Sequence, residues 1–177
     1  MKLKPFKFNL HNKIIPMAQS ILITHGSHVP TIFTYDKRGI EKISDLTDLF
    51  SVQDKDVVYK VLGNFLSESD AVAFILVTEA WMHKINKDEY KDKESKEILE
   101  GSKRVADCED KEECLVFQWD FRLGDVRRDG SITYPFENSC GNIYIDYANV
   151  VEKDDTSTEK SFSRASGLLA AAQVTEK

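Results

Sequence analysis

The sequence predicts an α+β fold, an antiparallel sheet with two main helices packed on it, and three patterns predict it. Residues 71–77 are apolar on both alternating faces, with Ala71, Ala73, Ile75 and Val77 against Val72, Phe74 and Leu76. A strand of that kind, closing at Trp81, is buried on both sides and belongs in the middle of a covered sheet. Residues 114–123 alternate cleanly instead. Leu115, Phe117, Trp119, Phe121 and Leu123 form one face and Gln118, Asp120 and Arg122 the other. That places one face on the core and one nearer solvent, as in antiparallel pairing. The third pattern is helical: two windows, 10–22 and 57–66, repeat apolar residues at three- and four-residue spacing.

In chain order, residues 1–8 read as a lead-in carrying Phe6 and Phe8. Leu10, Ile14, Met17, Ala18, Ile21 and Leu22 then predict a helix. Pro16 either kinks it or opens its second part, and Gly26 is placed to end it. Thr31, Phe33 and Tyr35 alternating with Ile32 and Thr34 predict a strand. The turn Asp36-Lys37-Arg38-Gly39 leads into a short return strand over 40–43. Ser51 and Asp54 have the spacing of a helix start. After the central strand, a charged excursion at about 84–110 has few apolar anchors. Asp129-Gly130 reads as a turn into a strand over 131–136, and 142–151 alternates once more. The expected organisation is a single domain over 1–151 and a polar tail over 152–177, with a short helical patch at 167–174.

Composition narrows function by exclusion. A chain of 177 residues with net charge −6 has no face forced to be basic, so nucleic acid is not an expected partner. No apolar run reaches the ~20 residues of a spanning helix, and the N-terminal stretch lacks a signal peptide's pattern. Cys108, Cys114 and Cys140 are an odd set, which suits a reduced, cytoplasmic protein better than a disulfide framework.

The candidate site residues gather around the end of the central strand. His25 and His28, with Glu79 and His83, supply the ligand types of a zinc or iron site. Their spacing matches no specific metal motif. His25 equally suits the negative end of a helix dipole. Glu79 leaves a buried strand, where a raised pKa would let it serve as acid or base. An ion pair with Arg122 or Arg104 is the plainer expectation. Cys108 and Cys114 lie among acids that disfavour thiolate, so they read as ordinary thiols. Asp107, Glu109, Asp110, Glu112 and Glu113 lack the glycine and ligand order of a calcium loop and read as solvated. No phosphate-binding loop, dinucleotide fingerprint or nucleophile elbow is present.

Residues 74–82, FILVTEAWM, and 104–117, RVADCEDKEECLVF, together resemble a group of small uncharacterised proteins from bacteria and their phages. His28-Val29-Pro30 is similar to a His/Pro segment before that group's first strand. Val105 and Ala106 stand where the group carries proline and serine. The resemblance spans roughly residues 20–135 and implies no activity. The element order is also similar to profilin-like and roadblock-like arrangements, and such likeness does not fix function. Two function classes follow: a non-enzymatic binding or regulatory module with a protein partner or a second copy, and a small metal-dependent hydrolase using His25, His28 and Glu79.

Overall fold

The chain enters the fold as a helix at once. In a computed structural model, which describes residues 1–51, 55–82, 97, 105–108 and 111–155, α1 (Leu3–Asn9) runs through a wider helical turn (Leu10–Ile14) into α2 (Ile15–His25). Residues 1–8 are therefore no lead-in. Pro16 explains the wide turn. It has no N–H to give to Asn12, and its ring would strike that carbonyl in a regular helix. The chain answers by letting the Ile15 N–H reach back five residues to Leu10 O. Pro16 then falls in the first turn of α2, where a missing N–H costs nothing. The stripe Phe6, Leu10, Ile14, Ala18 and Leu22, each 0% exposed, advances four residues at a time. A regular helix has 3.6 residues per turn, so such a stripe would drift around it. The wide turn takes up part of that drift and keeps the stripe on the sheet. Gly26, left-handed at φ 76°, closes α2 by donating its N–H to Leu22 O at 2.8 Å, as its position predicts.

The strands that follow are all antiparallel. β1 (Thr31–Tyr35) and β2 (Glu41–Asp45) flank the expected turn, in which the Asp36 carboxylate accepts the Arg38 and Ile40 N–H groups. A short helical turn, α3 (Thr47–Phe50), precedes α4 (Lys55–Glu68); the predicted helix start at Ser51–Asp54 falls largely outside the described residues. β3 (Ala73–Met82) lies inside the sheet order β2-β1-β3-β4-β5-β6, between β1 and β4. Its two faces feed two separate cores. Ala73, Ile75 and Val77 join Phe33, Tyr35, Phe117, Trp119 and the α1–α2 stripe. Phe74 and Leu76 join Ile32 with Val58, Leu62 and Leu66 of α4. Lys13 reaches Glu41 at 2.6 Å, and Glu41 accepts the buried Tyr35 hydroxyl at 2.7 Å, which fastens the wide turn to the edge of the sheet.

β4 (Glu112–Leu123) and β5 (Val126–Ser139) form a hairpin closed at Gly124-Asp125. This corrects the turn predicted at Asp129-Gly130, which lies inside β5 with Asp129 opposite Asp120. The glycine serves packing there, since the Trp119 ring lies against it. β5 carries two neighbours on its far side. β6 (Asn142–Ile145) pairs with residues 136–139, and β7 (Val151–Asp155) with residues 129–133. The changeover falls at Pro135, which has no N–H for a ladder and accepts the Asp146 N–H on its carbonyl at 2.8 Å. The strand expected over 142–151 therefore stops at Ile145. Asp146 caps a helical turn (Tyr147–Asn149) through the Ala148 and Asn149 N–H groups, and pairing resumes in β7, within the stretch assigned to the tail. Residues 156–177, including the 167–174 patch, and most of the 84–110 excursion lie outside the described residues. Among the described residues, no helix is long and apolar enough to cross a membrane.

The β5–β6 turn supports a first prediction. Cys140 and Gly141 have φ of 53° and 86°, the two positive values of a mirror-image two-residue hairpin turn. Asparagine tolerates that conformation better than cysteine. Cys140→Asn should stabilise the fold by about 0.5–1 kcal/mol, read as a higher thermal midpoint. A lower midpoint would refute this turn assignment.

Candidate functional site

Strand parity determines what can meet at the end of β3. Ile75, Val77, Glu79 and Trp81 share the face toward α1 and α2, with Leu115 and Glu113 as the partners of Glu79 and Trp81 on β4. Burial ends at Val77, so Glu79 emerges at the margin of the core. Its Oε1 accepts the backbone N–H of His28, in the connection between α2 and β1. Desolvation raises the Glu79 pKa and the Glu113 charge adds to the rise, while the His28 N–H opposes it. His28 is 5% exposed and its Nδ1 has no hydrogen-bond partner. Burial lowers its pKa, so the imidazole is held neutral. Beside them, Lys111 Nζ stands 4.8 Å from the centroid of the half-exposed Trp81 ring.

The pair fastens the α2–β1 connection to the end of β3. The ion pair expected between Glu79 and Arg122 is not made, and register is the reason: Phe121, beside Arg122, pairs with Ala73, six residues along β3 from Glu79. Arg122 lies on the opposite face, where its Nε bridges Asp120 at 3.0 Å. Arg104 lies outside the described residues, as does His83. His25 is exposed at the end of α2. Among the described residues, no group of three or more His, Cys, Asp or Glu side chains could hold a metal ion. His25, His28 and Glu79 are in no such group, and the fourth candidate, His83, lies outside the described residues. No family model, no curated protein and no solved structure matches this chain.

The cysteines behave as their surroundings dictate. None of the three is in a disulfide, with Cys108 and Cys114 buried and Cys140 exposed. Burial pushes the Cys114 thiol up to about 11, with the Glu112 charge acting in the same direction, and its Sγ contacts Ala80 O at 3.3 Å. It is a packed, protonated thiol and no nucleophile at neutral pH.

Two features escaped the sequence reading. One is a cleft of about 340 Å³ beside β6, lined by Glu112, Pro135, Phe136, Glu137, Tyr144 and Ile145. Its size falls in the range of ligand and side-chain pockets. Tyr144, 61% exposed, stands at its rim. Past Asp146, Tyr147 leans on Tyr134 at 6.1 Å between centroids, and its hydroxyl lies 3.4 Å from Gln19 Oε1. The other is Asp120, fully buried in the strand face assigned to solvent. Neither had a motif to announce it.

Proposed function

We propose that this chain is a non-enzymatic binding or regulatory module, of bacterial or phage origin, that engages a protein partner or a second copy along β6. The observation that carries the proposal is the exposed Tyr144 on a strand whose outer side is unpaired among the described residues, at the rim of the 340 Å³ cleft. An unpaired strand edge offers backbone N–H and C=O groups to an added strand. Tyrosine supplies large contact area at low entropic cost, which is why it is enriched at interfaces. The likeness of residues 74–82 and 104–117 to bacterial and phage proteins supports the origin, and three cysteines outside any disulfide support a reducing cytoplasm. The order of helix, two strands, helix and strand supports a finer reading of two main helices packed on the sheet in a profilin-like or roadblock-like arrangement.

A photo-crosslinking residue in place of Tyr144, with the same residue in place of Lys42 on β2 as control, tests this in cells producing the protein. The expected result is one discrete adduct from position 144, either at twice the chain mass or with a single other protein. Labelling no stronger at 144 than at 42 would overturn the β6 assignment.

A further inference from the structure

One face at the end of the β4–β5 hairpin carries four charged residues in two facing pairs, Asp120 opposite Asp129 and Arg122 opposite Arg127. Alternation puts all four on the face away from α1 and α2. Residues directly opposite in an antiparallel pair hold their Cβ atoms about 4.5–5.5 Å apart, and like charges there are destabilising. The arrangement is most costly at Asp120, which is 0% exposed. On its β3 side it is flanked by Phe74, which packs with Leu62 and Leu66 of α4. Its two carboxylate oxygens both accept from Arg122 Nε, at 3.1 and 3.0 Å. On the same face stand Gln118 on β4 and Asp129 and Arg127 on β5, Asp155 of β7 is in register with Asp129, and Tyr59 of α4 packs against the Phe74 cluster.

Two neighbouring carboxylates, one without access to water, do not both ionise cheaply, and the Arg122 contact on Asp120 does not remove the cost. We propose that Asp120 is a proton-binding switch: with its carboxyl protonated the β4–β5 hairpin is locked, and release of that proton to solvent loosens it. As an acid, Asp120 presents a neutral O–H to the ladder. As an anion, it sits without access to water and faces a second carboxylate across the strand.

The direction of the effect follows from burial, which pushes the Asp120 carboxyl up to about 7; Arg122 opposes the rise and Asp129 adds to it. Between the ordinary aspartate value of 3.8 and that value, the folded chain holds a proton that the unfolded chain has released. Stability therefore falls as pH rises through this window and levels off above it.

The experiment follows the thermal midpoint of wild type and Asp120→Asn between about pH 4 and pH 8, the window the shift defines. Asparagine keeps the neutral form at every pH, so the variant should gain on wild type steadily as pH rises. Parallel curves would overturn the proposal. Should Asp120→Asn fail to fold, the side-chain carboxyl carbon of Asp120 in the wild type, followed by NMR, gives the same answer. Its midpoint should lie near neutrality and move down in Asp129→Asn. A midpoint in the ordinary aspartate range, or one indifferent to Asp129, would sink the idea.

Discussion

Phe6→Ala is expected to cost about 3–5 kcal/mol, the range for deleting a large buried aromatic. For a chain of this size that corresponds to a fall in thermal midpoint of roughly 6–20 °C, taking about 2–4 °C per kcal/mol. The loss is large because one ring joins three others. Phe6 meets Tyr35 edge-on at 5.5 Å between centroids, Trp119 at 5.9 Å and Phe121 at 5.6 Å. Those three come from two strands, Tyr35 from β1 and Trp119 and Phe121 from β4, and Phe6 is the first fully buried residue of the helical stripe that covers them. Removing the ring leaves a void bounded by aromatic faces that cannot close without moving α1. Phe8, two residues on and 65% exposed, is the control: Phe8→Ala should move the midpoint by a few degrees at most. Thermal unfolding followed through tryptophan fluorescence reads both, since Trp119 borders the void. Equal effects from the two variants would mean that α1 does not cover the sheet as described.

Phe6 also marks where the sequence stopped being legible. The central strand could be read because both of its faces are apolar, a local pattern that survives whatever packs on it. The buried face of β4 could be read for the same reason. Phe6 sits in a seven-residue helix with a proline at its third position and no second core residue. Its role appears only when Tyr35, Trp119 and Phe121 are brought beneath it. Asp120 failed differently. Alternation assigns it correctly to the face opposite Trp119, but alternation does not say whether that face is covered. The cover over its neighbour Phe74 comes from α4, more than fifty residues earlier in the chain. Glu79 was legible as a carboxylate leaving a buried strand, and its partner was not. A backbone N–H has no residue type to recognise, and that of His28 is 51 positions away. Arg122 was excluded as that partner by register, which sets that end of β4 beside Ala73 and not beside Glu79.

Gly130→Ala is the second large effect, and its cause is steric. A Cβ at Gly130 would lie 2.4 Å from the Lys153 carbonyl oxygen and 2.7 and 2.9 Å from two atoms of the Trp119 ring. No ordinary contact is that short, so something must move. If the oxygen gives way, β7 leaves β5, because Lys153 is paired within that ladder. If the ring gives way, Trp119 loses its place beside Phe6, and the cost joins that of the first prediction. Overpacking of this kind costs about 1–3 kcal/mol and occasionally more; with backbone on one side and a core aromatic on the other, the upper end is expected. Gly124→Ala separates this from a glycine-conformation effect, since Gly124 has φ 61° with open space around its Cβ position. Its penalty should be about 1–2 kcal/mol, the cost of a left-handed non-glycine residue, with β7 undisturbed. Amide hydrogen exchange distinguishes the two: Gly130→Ala should strip protection from residues 151–153, and Gly124→Ala should leave it intact. Adding Trp119→Leu to Gly130→Ala relieves the ring and leaves the carbonyl clash, so β7 protection should stay low. Full recovery of protection in that double variant would mean that Trp119 alone opposes the new methyl, and that the close approach of β7 to Gly130 is wrong.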